Sequence, residues 1–123
     1  MKSLIVSVGL LLTASSTVAI AGPIESYVAR LSAADHFNSN GVRLTNVAAI
    51  IRQDRANLYV FGKGDREDEQ DSFFADKGNR ARLEAMLNRG TASKGARQAI
   101  VNGTPMIRVD VYSDFINVEI YGD

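Results

Sequence analysis

The chain contains no cysteine, and this absence excludes several classes of protein. Small secreted animal domains usually strengthen a thin core with disulfide bonds, which this chain cannot form. The lipid-attachment residue of a bacterial lipoprotein is missing, and so is a thiol nucleophile. Because the chain also has a single histidine, a zinc site would need carboxylates for its other protein ligands, which is uncommon. The sequence therefore predicts no cofactor, and its composition favours a bacterial periplasm or exterior.

The chain also has no net charge, since 14 Lys and Arg residues balance 14 Asp and Glu residues. It has no global attraction to nucleic acid or anionic lipid. Acidic side chains crowd residues 65–71, whereas basic ones predominate in residues 77–97. We interpret this order as a solvated acidic loop beside a basic helix face. The basic segment, including Arg80 and Arg82, is a candidate for binding an anionic envelope surface, but it lacks aromatic residues for stacking on bases.

A long apolar run is missing from the N-terminus. Residues 4–12 are mostly apolar, but Ser7 and Gly9 interrupt them, and a membrane span needs roughly 20 such residues. Lys2, the apolar run and the small-x-small tripeptide 19–21 instead have the three-part pattern of a cleavable secretory signal. The sequence therefore predicts a signal peptide over residues 1–21, a single small globular domain over 22–123, and export without a membrane span.

Helical spacing and capping residues predict several helices in residues 32–100. Ser32 and Asp35 have capping-box spacing, which predicts a short helix to about Asn40. Thr45 or Asn46 is expected to cap a longer helix ending near residue 61, with Gly62 as its stop. Two further helices are expected over residues 80–88, capped by Asn79, and over 93–100.

The side chains of the longest predicted helix divide into two faces. Arg52, Gln53 and Arg55 are expected on its polar face. Asp54 falls on its apolar side, where an acidic group needs a partner.

The C-terminal residues change to a period of two. Residues 106–112 and 115–121 flank Ser113-Asp114, which predicts a hairpin with Tyr112 opposite Phe115 and Val111 opposite Ile116. In this register six aliphatic side chains share one face: Ile107, Val109, Val111, Ile116, Val118 and Ile120. An isolated hairpin is marginal in water, so helices must cover that face. The expected fold class is α+β, with several short helices followed by an antiparallel hairpin packed on them.

Two groups of residues are candidates for chemistry. His36 beside Asp35 is the minimum equipment for general base catalysis, although adjacent helical residues point about 100° apart. Four carboxylates at alternate positions could bind calcium, but Gln70 stands where an EF-hand loop has glycine; they are Asp65, Glu67, Glu69 and Asp71.

The functional expectation is an exported, non-enzymatic interaction module of the bacterial envelope, because no convergent catalytic set is evident. Tyr112 and Phe115, beside the hairpin turn, are candidates for contacting a partner or for packing on loops. Two alternatives stay open, a small hydrolase-like enzyme using His36 and a calcium- or anion-binding protein using the charged segments.

Overall fold

A four-stranded mixed sheet with four helices and one 3₁₀ turn is the architecture of the computed structural model, which describes residues 7, 9–11 and 21–122. The elements follow the order β1 Glu25–Arg30, the 3₁₀ turn Ala33–His36, α1 Val47–Tyr59, α2 Lys77–Ala81, α3 Leu83–Arg89, β2 Thr91–Ala92, α4 Lys94–Asn102, β3 Met106–Val111 and β4 Ile116–Gly122. The predicted α+β class is confirmed. None of these helices has the length and apolarity needed to cross a membrane. Most of the predicted signal peptide lies outside the described residues.

The C-terminal hairpin forms in the predicted register. The Tyr112 N–H donates to the Phe115 carbonyl oxygen at 2.9 Å, and β3 pairs antiparallel with β4 from Val111–Ile116 to Ile107–Ile120. Five of the six side chains in the aliphatic stripe are buried, while Ile120 is 40% exposed. A register shift between Met106 and Ile107 ends the regular ladder, so the last pair is Met106 with Gly122. Local alternation of polar and apolar residues was therefore sufficient to specify this element.

The sequence prediction missed the first strand. β1 pairs antiparallel with β3, and β2 pairs parallel with β4, which gives the strand order β1-β3-β4-β2. Tyr27 and Ala29 of β1 point into the core, where helix residues Ile50, Ile51 and Leu83 are also buried. The hairpin is thus only half of the sheet, and a strand close to the predicted signal cleavage site completes the core.

The long helix α1 begins as predicted but ends earlier. The Asn46 side chain accepts the Ala49 N–H at 3.0 Å, and the helix stops at Tyr59, before Gly62 adopts φ +62°. The Ser93 side chain caps α4 in the same way, by accepting the Ala96 N–H. Both side-chain caps hold a backbone donor that a helix start leaves free.

Two helix predictions were wrong in detail. The segment expected as one helix is divided at Arg82 into α2 and α3, and Asp76 rather than Asn79 caps its start. Near residue 32 the capping box forms, but the helix is only the 3₁₀ turn Ala33–His36. The chain then turns back at Gly41, whose φ is +77°, and the Asn38 side chain accepts the Val42 N–H.

Candidate functional site

A buried arginine lies at the centre of the polar interior. The Arg55 Nε–H donates to Asp54 Oδ2 at 2.8 Å, and Nη1–H donates to Asp71 Oδ1 at 2.9 Å and to the Glu69 carbonyl oxygen. The guanidinium lies 4.0 Å from the Tyr27 ring centroid. We call Arg55, Asp54, Asp71 and Tyr27 the arginine centre. Arg55 was expected on the polar face of α1, and this was wrong because β1 and the acidic segment cover that side of the helix.

Three carboxylates converge next to the arginine centre, and we call them the acid cluster: Asp35, Asp54 and Asp65. One oxygen from each lies within 4.8 Å of the others. Asp35 comes from the 3₁₀ turn, Asp54 from α1 and Asp65 from the loop after α1, so three separate segments build the cluster. Asp35 and Asp54 are buried, whereas Asp65 is partly exposed and forms the outer side of the cluster.

Burial makes negative charge unfavourable in the acid cluster. It raises the pKa of Asp35 to about 6, and the charge of Asp65 raises it further, while a hydrogen bond from Asn57 opposes the shift. Burial also raises the pKa of Asp54 well above its usual range, in spite of the neighbouring Arg55 guanidinium. Two carboxylates with raised pKa values, side by side, form a site that a cation or a proton stabilises.

The hydrogen bonds of the acid cluster leave part of it unsatisfied. Asp35 accepts from the Asn57 amide at 2.8 Å and from the Ser32 N–H at 3.0 Å. Asp54 Oδ1 and Asp65 Oδ2, in contrast, are buried without a hydrogen-bond partner among the described residues. A buried acceptor with no partner is destabilising unless water or an ion contacts it.

The single histidine is part of the structural framework. His36 is buried, with Nδ1 2.8 Å from the Ser32 carbonyl oxygen and Nε2 2.7 Å from the Ile100 carbonyl oxygen. Each ring nitrogen therefore faces a backbone carbonyl oxygen, which accepts a hydrogen bond when that nitrogen carries a proton, and the Asp35 carboxylate is bound to Ser32 and Asn57 instead. No hydrogen bond joins Asp35 to His36 among the described residues, so the candidate acid and base of the hydrolase hypothesis do not contact each other.

The acidic run contacts β1 while most of its residues stay exposed to solvent. The Glu69 carboxylate accepts the Val28 N–H at 2.7 Å, and the Asp68 carboxylate accepts the Arg30 N–H at 2.9 Å. The Glu69 N–H donates to the Val28 carbonyl oxygen in turn. These bonds satisfy backbone groups that an edge strand would leave open to other chains. The run is therefore a largely exposed loop, as expected, and it also covers the edge of β1, which the sequence did not predict.

The four carboxylates predicted as calcium candidates have different partners. Glu69 binds β1, Asp71 binds Arg55, and Glu67 lies 3.7 Å from the Arg30 guanidinium. Asp65 alone joins the acid cluster. The structure therefore brings Asp65 together with two acids that the sequence did not connect to it.

The two arginine candidates differ in accessibility. Arg80 is buried and donates from Nη1 to the carbonyl oxygens of Phe74 and Ala75, each at 2.9 Å. Arg82 is exposed, and its guanidinium lies 6.0 Å from the Phe73 ring centroid. Arg80 holds the loop before α2, so of these two only Arg82 faces solvent.

The two aromatic candidates stack on each other at the hairpin end. The ring centroids of Tyr112 and Phe115 are 4.2 Å apart, with 10° between the ring planes. Both residues line a groove of about 470 Å³ together with Ile24, Gly22 and Ala21, the last of which belongs to the predicted signal peptide. Ile24 is 64% exposed. Tyr112 and Phe115, which the sequence identified as candidates, therefore form an apolar surface with Ile24 beside the hairpin turn.

Sequence reasoning found part of the polar interior and missed the rest. Asp54 was expected on the apolar side of α1 and in need of a partner, and it is buried against Arg55. The sequence analysis did not identify Asn57 as part of the polar interior. This residue lies one helical turn after Gln53, whose side-chain amide donates to the Asn57 side-chain oxygen at 2.9 Å. No protein-family model, curated protein or solved structure was found to match this chain.

Proposed function

We propose that the chain is an exported module of the bacterial envelope that acts by binding another envelope component, without catalysing a reaction. The observation that carries this proposal is the outward face of the sheet. Side chains on this face, such as Arg108 and Glu119, are exposed to solvent, and the face ends at the stacked pair of Tyr112 and Phe115 beside the apolar groove.

The composition of the outward face suits a reversible interface. Tyr121 is 61% exposed, and the Arg108 and Asp110 side chains form a solvent-facing ion pair at 3.1 Å. Interfaces between separately folded proteins combine aromatic and arginine side chains with polar surroundings. The aromatic pair supplies apolar area, while the ion pair supplies polar contacts that keep the free protein in solution.

The surroundings of His36 favour binding over catalysis. A general base needs a free nitrogen within reach of a substrate proton, but both ring nitrogens face carbonyl oxygens inside the domain. The rival hydrolase hypothesis depends on this residue and would require those hydrogen bonds to break. A binding surface requires no such rearrangement.

Export is tested by the mass and N-terminal sequence of the protein from its native host. We expect a periplasmic or culture-medium fraction to contain a chain beginning at Gly22. An uncleaved chain beginning at Met1 and recovered with the cytoplasm would contradict export, while leaving the binding surface to be tested separately.

The binding surface is tested by introducing a photo-crosslinking amino acid at Tyr121, in living cells. A control places the same group at Arg52, an exposed residue of α1. We expect a discrete adduct from position 121 and none from position 52. The crosslinked component, once identified and purified, should bind a Phe115→Ala variant about tenfold more weakly than the unchanged protein. Equal crosslinking from both positions, or equal affinity of both proteins, would overturn the proposal.

A further inference from the structure

The acid cluster has the composition and spacing of a site for a hard divalent cation. Its three carboxylates come from separate segments, and one oxygen from each lies within 4.8 Å of the other two. Calcium binds oxygen at about 2.3–2.6 Å, so two ligands on opposite sides of one ion are separated by roughly 4.6–5.2 Å. A single calcium ion can therefore reach all three carboxylates without a large movement of the chain.

Unpartnered oxygens supply an independent reason to expect an ion. Asp54 is 1% exposed, and its Oδ1 lacks a hydrogen-bond partner in the described part of the chain, as does the buried Oδ2 of Asp65. Asp54 Oδ2 is already bound by Arg55, which leaves Oδ1 as the free acceptor of that side chain. Buried acceptors of this kind require a donor or a cation.

The nearest positive group is shared with other acceptors. Arg55 contacts Asp54 and also Asp71, so a single guanidinium serves two buried carboxylates. Asp35 accepts from the neutral groups of Asn57 and Ser32, and no arginine contacts it among the described residues. Asp68 lies close by, with its Oδ2 accepting the Asp65 N–H. Carboxyl groups thus outnumber cationic donors at the acid cluster, and a bound cation would stabilise their ionised forms.

We propose that Asp35, Asp54 and Asp65 bind one calcium ion, with water completing its coordination. Calcium accepts six to eight oxygen ligands in irregular geometry, whereas magnesium requires a near-ideal octahedron. Three carboxylates on a 3₁₀ turn, a helix and a loop suit the more adaptable ion. Binding would join these segments across the domain.

The test is calorimetric and thermal titration of the purified protein after removal of metal with a chelator. Calcium chloride is raised to about 10 mM, tenfold above the weakest range of extracellular calcium modules. We expect one binding event per chain and an increase in Tm of about 5–10 °C. Magnesium chloride at the same concentration should produce a smaller increase.

The decisive variant is Asp65→Asn, because the partly exposed residue can change without opening the core. We expect it to weaken calcium binding by at least about tenfold. Glu67→Gln is the matched control, since it removes one charge from the same loop, outside the acid cluster, and should bind calcium like the unchanged protein. Asp35→Asn provides a second ligand variant on a different segment, and circular dichroism establishes that each variant is folded.

Three results would overturn the calcium site. The first is that the unchanged protein shows neither binding heat nor a Tm increase at 10 mM calcium, a concentration about tenfold above the expected range of dissociation constants. Asp65→Asn could bind as tightly as Glu67→Gln, which would place the ion elsewhere in the acidic loop. A larger Tm increase with magnesium than with calcium would contradict the choice of ion.

Discussion

The C-terminal hairpin and the arginine centre are both buried, but they are stabilised by different forces. In the hairpin, aliphatic side chains such as Val109 and Val111 lose contact with water, and the stabilisation is shared among many such side chains. In the arginine centre, one guanidinium compensates two carboxylates, so each group depends on the others. Burial of apolar area is tolerant of small changes, whereas burial of charge is not.

This difference between burial of apolar area and burial of charge also affects the function that each region can perform. The hairpin presents a regular outer face whose residues can vary, which suits a surface for a partner. The arginine centre and the adjoining acid cluster hold charge in a medium of low polarity, where an ion or a proton has a large effect. The following predictions test this contrast, beginning with the largest effect.

Arg55→Met should lower the free energy of unfolding by about 3–5 kcal/mol, because it leaves buried carboxylates without their cation. The control is Arg52→Met on the exposed side of the same helix, for which we expect a change within about 0.5 kcal/mol. Urea unfolding followed by circular dichroism measures both. Equal stabilities of the two variants would show that charge compensation by Arg55 is unimportant.

Gly90→Ala should destabilise the protein by about 1–3 kcal/mol or more. A Cβ at this position would lie 1.6 Å from the Ile116 carbonyl oxygen, so the start of β4 would have to move away from the end of α3. Gly95→Ala is the control, since a Cβ there meets no atom within 4 Å, and it should stabilise α4 by about 0.5–1 kcal/mol. Thermal unfolding of both variants should show shifts of opposite sign; shifts of the same sign would contradict the close approach.

Ile107→Val should lower the free energy of unfolding by about 0.5–1.5 kcal/mol, since one buried methylene is lost from a tightly packed strand. Its cross-strand partner provides the control, because Ile120 is 40% exposed and Ile120→Val should change stability by less than about 0.5 kcal/mol. Chemical denaturation can resolve this difference. A larger effect at Ile120 would mean that the outer end of the hairpin is covered.

Glu67→Gln should have the smallest effect, within about 0.5 kcal/mol, because its pairing with Arg30 is long and partly exposed. Asp71→Asn removes a carboxylate at 2.9 Å from Arg55 in the buried arginine centre and should cost several times more. Comparing the two by urea unfolding separates surface from buried ion pairs in one acidic segment. Similar losses would remove the distinction between the two regions.

Sequence patterns recovered the elements that depend on neighbouring residues. The hairpin register followed from alternation, and the Asn46 cap followed from a residue type that binds free backbone donors. The strand β1 was missed because apolar Val28 between Tyr27 and Ala29 breaks its alternation, and because its partner β3 lies about 80 positions away. Nothing near β1 in the chain indicates that pairing.

The polar interior shows the same limit at the level of side chains. Helical spacing placed Asp54 inward and Arg55 outward, and it was right for the first residue only. Arg55 is buried because the acidic segment folds back over α1 and supplies Asp71. Similarly, Asp35 and Asp65 are separated by thirty positions and meet only after the chain has folded.

The sequence by itself determined the α+β class, the hairpin and its register, because helical and strand periodicities are local properties of the chain. Tertiary structure alone decided the position of β1, the engagement of both His36 nitrogens and the convergence of Asp35, Asp54 and Asp65. Those features depend on which distant segments pack together. Their energies come from desolvation and charge pairing, which no residue shows until its neighbours are in place.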